Sequence, residues 1–256
     1  MGVKKAKFIS INSAKGGVGK TFITLNLAGC FSKLGKKVLI VDLDLMYGSI
    51  AFSLKVDQKK DIYNLVTDLN NNKYTHLDDY TAYYNPFIDV LCSLKDPRNA
   101  TKISSKYIEL ILLQAVSLYD IVLIDTNHFL NDISITIMDK VDINLFVLTN
   151  DPYDIKNMKN LITIFNDTKK YNYRIILNES IKLNENYYSN YDIKQIIKAN
   201  IDYYISNKLY LKNITNYIIK GKILYLEYPY KLKKELKKFD FLAGDILSYK
   251  GVDNNE

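Results

Sequence analysis

The run Ser13-Ala14-Lys15-Gly16-Gly17-Val18-Gly19-Lys20-Thr21 constrains this chain more than any other stretch. Ahead of it, residues 7–12 alternate apolar and polar side chains as a strand does. Behind it, residues 23–34 carry apolar side chains at helical spacing. Strand, glycine loop and helix are the context that a phosphate-binding loop requires. Gly16, Gly17 and Gly19 allow backbone angles closed to other residues. With Val18 between them, successive N–H groups can turn inward at a helix N-terminus, where a polyphosphate is held. Lys20 is then placed to reach the β- and γ-phosphates and the Thr21 hydroxyl to sit on Mg²⁺. The strict pattern Gly-x4-Gly-Lys-Thr asks for glycine at 14, where this chain has Ala14.

Two later segments place carboxylates where such a loop would use them. Residues 37–42 form a near-continuous β-branched run, as in a parallel strand buried on both faces, and close in Asp42-Leu43-Asp44. Side chains at the carboxyl ends of such strands line the crevice where α/β proteins bind ligands, although a solvated turn gives the same letters. Residues 119–125 repeat the pattern and end in Asp125, placed to hold Mg²⁺ through water.

Apolar runs at 6–12, 37–42, 87–92, 120–125, 142–149, 173–178 and 201–205 alternate with helical stretches. That order predicts an α/β fold: a doubly wound, mostly parallel sheet of seven or eight strands flanked by helices. With 256 residues, 48% hydrophobic content and no linker or repeat, 1–256 reads as one domain, the fold occupying about 6–247 and 248–256 forming a tail. Cys30 and Cys92 have neither bridge nor metal-ligand spacing. No signal peptide or run of 18 apolar residues is present, so a cytoplasmic protein is expected.

The net charge of +7 permits DNA or an acidic membrane surface as a partner. Much of the excess is at lysines 231, 233, 234, 237 and 238, on a helix whose Leu232, Leu236, Phe239 and Leu242 or Ala243 form an apolar stripe. The stripe suits an interfacial membrane anchor or, preferred here, a last helix packed on the sheet with its lysines in water.

Residues 14–21 resemble the deviant Walker A motif of the ParA/MinD superfamily of P-loop ATPases, the SIMIBI class. The resemblance implies ATP, ADP and Mg²⁺ as ligands. It also implies a homodimer enclosing ATP, in which Lys15 reaches across to the partner's phosphates and acts in catalysis with Lys20. Asp44 would orient the attacking water, Asp42 would support the Mg²⁺ shell, and Asp125 would be the Walker B aspartate. Asn178, at the end of the strand 173–178, matches a position that hydrogen-bonds the adenine edge; a strand-end turn asparagine fits equally. Ser206 and Asn207, after a last strand at 203–205, would form the other wall of the base pocket, where the family has proline at the position of Ser206. Phe22 stands where the family has a second hydroxyl. The α-phosphate then loses a side-chain contact and keeps the backbone N–H, which implies weak turnover.

Several segments narrow the resemblance to the TadZ/CpaE pilus-assembly branch: residues 42–54 followed by a short helix at 61–69, residues 125–132 with His128 after the Walker B strand, and residues 216–224 leading to the basic helix 231–239. His128 is open as a switch residue near the γ-phosphate or as a surface histidine. The branch implies an ATP-dependent switch that positions a pilus or secretion assembly at a bacterial pole, with a pilus, secretion or polar-targeting protein as partner. The alternatives are a MinD-type or flagellar-number-type membrane-associated ATPase, a nucleotide-binding or constitutive-dimer scaffold with little turnover, and a DNA-segregating ATPase.

Overall fold

The computed structural model describes residues 6–179, 188–209 and 214–249. In chain order its elements are β1 (Lys7–Asn12), α1 (Lys20–Lys33), β2 (Val38–Leu43), α2 (Ile50–Leu54), α3 (Ile62–Asn70), β3 (Thr81–Asn85), β4 (Ile88–Leu91), α4 (Ser105–Ala115), β5 (Ile121–Thr126), α5 (Asp132–Lys140), β6 (Ile143–Leu148), α6 (Pro152–Asp167), β7 (Tyr173–Asn178), α7 (Asn190–Ile197), β8 (Tyr203–Ile205), α8 (Ile214–Ile219), α9 (Leu224–Glu227) and α10 (Lys233–Ser248).

The strands form one eight-stranded sheet in the order β3-β4-β2-β5-β1-β6-β7-β8. Every neighbouring pair is parallel except β3 with β4. The β-branched runs behave as their composition requires: every residue of β2, β5 and β6 is buried. From β1 the chain moves to β2 on one side, and after β5 it crosses to β6 on the other. That reversal opens a crevice at the carboxyl ends of the central strands.

Helices cover both faces. On one, Leu27 and Phe31 of α1 and Leu236, Phe239 and Ile246 of α10 pack against Ile9, Ile11, Ile40 and Leu145. On the other, Leu65 of α3, Ile108 and Ile111 of α4 and Ile137 of α5 pack against Leu39, Val41, Val122 and Ile124, while α6 and α7 close over Phe146 and Ile175. The doubly wound architecture expected from the alternation of apolar runs is the one observed.

Strand β3 has no apolar run to mark it. It is an edge strand, with Ala82 buried and Tyr83 exposed, and its register shifts against β4 between Tyr83 and Asn85. The hairpin turn is set by Asn85, whose Oδ1 accepts the Phe87 N–H at 2.9 Å around Pro86. Helix α3 starts where its caps dictate: Asp61 accepts the Asn64 N–H and Asn64 accepts the Asp61 N–H, both at 3.0 Å.

Helix α10 decides how its apolar stripe is used. Leu236, Phe239, Leu242, Ala243 and Ile246 are fully buried against the sheet, Leu232 is half-buried, and Lys231, Lys233, Lys234 and Lys237 stay exposed. Lys238 pairs with Glu235 at 2.9 Å. The fold runs slightly past 247: Ser248 closes α10, and the Tyr249 ring lies 5.9 Å from the Lys7 ammonium and 5.2 Å from the Arg174 guanidinium. Of the expected tail, residues 250–256 lie outside the described residues. Among the described residues no helix is long and apolar enough to cross a membrane.

Candidate functional site: a phosphate loop at the sheet crevice

Residues 13–19 bridge β1 and α1, with Gly17 at φ 74° and Gly19 at φ 95°. Both angles lie in the left-handed region, which glycine enters at little cost. Ser13 locks the loop from inside: its hydroxyl donates to the Lys15 carbonyl at 2.7 Å and accepts from the Lys20 ammonium at 2.9 Å. Lys20 is 9% exposed. Burial lowers its pKa, opposed by the nearby charges of Asp125, Asp44 and Asp154. An ammonium held dry and short of full pairing is suited to a polyanion.

The Thr21 hydroxyl donates to Asp125 Oδ2 at 2.7 Å, and the Ser49 hydroxyl stands 3.4 Å from Thr21 Oγ1. The second carboxylate oxygen of Asp125, Oδ1, is buried without a hydrogen-bond partner. Burial pushes the Asp125 carboxyl up to about 6, against the Thr21 hydrogen bond and the Lys20 charge. An orphaned carboxylate oxygen beside a hydroxyl is a hard-oxygen donor set, and it fits Mg²⁺. Among the described residues no group of three His, Cys, Asp or Glu side chains could hold a metal by itself.

Asp42 lies beside Asp125 in the β2–β5 register and is 1% exposed. Burial drives its carboxyl well above the usual range, and the charge of Asp125 adds to the effect. Its oxygens accept the N–H groups of Asp44 at 3.3 Å and Ile50 at 3.0 Å, so it anchors the loop 44–49. Gly48 fits there because it has no side chain: a Cβ would lie 2.3 Å from Ser93 Cβ and 2.8 Å from Asp42 Oδ2. Asp42 was expected to support a Mg²⁺ shell. In the structure each of its oxygens accepts one backbone N–H, and its carboxyl stands beside that of Asp125. Asp44 is half-buried at the crevice; its Oδ1 accepts the Tyr47 N–H at 3.3 Å and its carbonyl accepts the Ser93 hydroxyl at 2.8 Å.

Lys15 is expected to reach a second subunit. Within this one chain its ammonium is 2.8 Å from Asp151 Oδ2, and Lys15 holds the Asp151 carboxyl below its ordinary pKa. Asp151 also caps α6, accepting the N–H groups of Tyr153 and Asp154 at 2.9 and 3.1 Å. Behind the pair, Asp154 is fully buried, with Oδ2 accepting both the N–H and the hydroxyl of Thr149 at 2.8 Å and Oδ1 unpartnered. Burial pushes its carboxyl up to about 6. A folded-state pKa raised above the unfolded one gives stability that is present in acid and lost as pH rises through about 6. Asp154→Asn is therefore expected to gain on the native protein by on the order of 2–3 kcal/mol between pH 4 and pH 7, read from denaturant midpoints.

The residues expected on the base side lie at the ends of β7 and β8. Asn178 is 1% exposed and donates from Nδ2 to the Val18 carbonyl at 2.8 Å, so it props the phosphate loop from β7. Ser206 is half-buried and accepts the Lys208 N–H at 3.2 Å, and Asn207 is exposed; both follow Ile205, which pairs with Asn178. Phe22 turns its ring toward α10, edge-on to Phe239 with centroids 6.3 Å apart. A bulky side chain is tolerated because it joins the core, leaving only its backbone N–H for a phosphate. Ser13, Ser49, Asp151 and Asp154 were not singled out by sequence: Ser49 and Asp151 meet the loop through contacts between distant elements, and Ser13 and Asp154 carry no pattern that marks them.

Comparison with known proteins agrees with this geometry. The family model AAA_31, described as an AAA domain, matches residues 6–183. The sporulation initiation inhibitor protein Soj of Bacillus subtilis is 40% identical over 65 residues, covering 24% of this chain and 25% of Soj. The septum site-determining protein MinD of Thermotoga maritima is 30% identical over 120 residues, 46% of this chain and 43% of that protein. The matched stretches thus span a quarter to under half of these relatives' lengths. Among solved structures, a ParA family ATPase from Chlorobium tepidum superposes with a TM-score of 0.79 at 19% identity, covering 95% of this chain and 98% of the other. MinD of Pyrococcus horikoshii, complexed with Mg-ADP, superposes at 0.75 with 21% identity over 94% and 98%. A glycine loop on β1, a hydroxyl paired with the β5 aspartate and an eight-stranded crossover sheet accompany these matches, and the chain belongs to the AAA-domain family AAA_31, with the fold of the ParA-family and MinD structures.

Proposed function

We propose that this protein is a Mg²⁺-dependent switch ATPase, hydrolysing ATP to ADP and phosphate and passing between monomer and homodimer as it does so. The observation that carries the reading is the Thr21–Asp125 pair at 2.7 Å, with a buried carboxylate oxygen left over, next to the desolvated Lys20. The loop N–H groups and Lys20 would bind the phosphates, and Thr21 with Asp125 would hold Mg²⁺, which supplies charge neutralisation between the β- and γ-phosphates. Asp44, half-buried at the crevice mouth, would orient the attacking water. Lys15 would leave Asp151 for the partner's phosphates, which makes the loop a deviant Walker A motif in function and the site a dimer interface.

The segments at 42–54, 61–69 and 125–132 support the TadZ/CpaE branch, and with it a cytoplasmic protein that positions a pilus or secretion assembly at a pole through a protein partner. A second reading rests on one observation: Lys231, Lys233, Lys234 and Lys237 are exposed on one terminal segment, a surface suited to DNA or acidic lipid. ATP-dependent DNA binding that weakens steeply with salt would favour that branch.

Turnover tests the reading. The native protein is expected to release phosphate from ATP only with Mg²⁺, and Asp125→Asn to lose that dependence together with roughly 10²-fold or more in rate. Without nucleotide the variant should be at least as stable as the native chain, because it removes a buried carboxylate. A native rate indifferent to Mg²⁺ would overturn the assignment of Thr21 and Asp125.

A further inference from the structure

The turn after β5 brings a histidine against the phosphate loop. The ring of His128 lies so close to Gly16 that a Cβ there would stand 3.3 Å from His128 Cε1 and 3.4 Å from Nδ1. The ring is held in place from several sides. The Thr126 hydroxyl donates to the Ile11 carbonyl at 2.8 Å and lies 3.1 Å from Asn12 Oδ1, fixing the end of β5 to β1. Asn127 Oδ1 accepts the Phe129 N–H at 2.9 Å, closing an Asx turn around His128. The Phe129 ring then stacks at a tilt on the imidazole, with centroids 4.1 Å apart. The half-buried imidazole makes no hydrogen bond among the described residues. It opens onto a cleft of about 260 Å³ that also takes in Ser13 and Ala14 of the loop and Asn157 of α6.

The direction of the loop says which part of a nucleotide this ring would meet. Lys20, Thr21 and Phe22 begin α1 and mark the β-phosphate, the metal and the α-phosphate. Gly16 lies on the opposite limb of the loop, at its start, and on the triphosphate reading that limb would face the end of the nucleotide away from Phe22. An imidazole pinned there has a ring N–H free to donate to an anionic oxygen, a charge-assisted hydrogen bond.

Resting on the triphosphate reading above, we propose that His128 donates a hydrogen bond to the terminal phosphate of bound ATP, making it a residue by which one subunit's site distinguishes ATP from ADP. ADP lacks the oxygens it addresses. The contact also ties the post-β5 turn, with Phe129 and Leu130 exposed on it, to the presence of the third phosphate.

The test compares Mg²⁺ complexes of a non-hydrolysable ATP analogue and of ADP by calorimetry, on the native protein, His128→Phe and His128→Gln. Phenylalanine keeps the packing on Gly16 and Phe129 and removes the donor; glutamine restores a donor. The expected result is a loss of about tenfold or more in analogue affinity for His128→Phe, ADP affinity within about twofold of native, and recovery of most of the loss in His128→Gln. Equal losses for both nucleotides, or none for either, would overturn the assignment while leaving phosphate binding intact. Lys20→Ala separates the two levels of the argument: if it leaves both affinities untouched, the triphosphate reading itself fails and the His128 assignment with it.

Discussion

Lys20→Ala is expected to lower ATP turnover by roughly 10²–10³-fold and to abolish the thermal stabilisation that Mg-ATP gives the native protein. The size follows from where the ammonium is. It is 9% exposed, its pKa is depressed by burial, and its ammonium donates to Ser13 Oγ at 2.9 Å, inside the loop that would hold the phosphates. A charge already stripped of water meets a phosphate without first losing its solvation, so its removal costs the bound state far more than the free one. The nucleotide-free variant should unfold close to the native temperature, since the buried charge costs desolvation as well as contributing a contact. Comparison of melting curves with and without Mg-ATP separates lost binding from lost fold.

Lys15→Ala is expected to erase ATP-dependent dimerisation while leaving nucleotide affinity in the monomer within a fewfold of native. Its side chain is 41% exposed and reaches outward from the loop to Asp151, so little inside the monomer depends on it. Asp151→Asn should move in the opposite direction. Asparagine caps a helix as well as aspartate does, so α6 keeps its first turn while Lys15 loses its resting partner. An exposed ion pair is worth ~0–1 kcal/mol, so Asp151→Asn should need up to about fivefold less ATP for half-dimerisation. Light scattering across an ATP titration measures both variants.

The fold was legible in proportion to how much of it is buried on both faces. Strands β2, β5 and β6 have all their residues buried, and buried runs are read from β-branched composition alone. Strand β3 was not legible for the opposite reason: it lies at the edge, is rich in tyrosine, and its partner β4 decides its pairing. The boundary at 247 fell short because Tyr249 is held by Lys7 and Arg174, residues far from it in sequence.

Within the site, Lys20, Thr21 and Asp125 could be named from spacing, because a phosphate loop and a strand-end aspartate meet wherever β1 lies beside β5. The pairing of Lys15 with Asp151 could not, since it depends on β6 lying on the other side of β1 and delivering α6 to the loop. Asn178 shows the same limit: strand-end position predicted its neighbourhood, and only packing revealed that its amide donates to the Val18 carbonyl. Phe22 reads differently once its ring is seen against Phe239. Its bulk serves the core between α1 and α10, and what it withholds from a nucleotide is one hydroxyl at the α-phosphate.

The molar mass in solution of the native protein and of Lys15→Ala, each with Mg²⁺ and either ADP or a non-hydrolysable ATP analogue, tests the switch most directly. The account predicts that native mass doubles with the analogue and not with ADP, and that Lys15→Ala remains a monomer with both. A native mass that is the same in the two nucleotide states would contradict it.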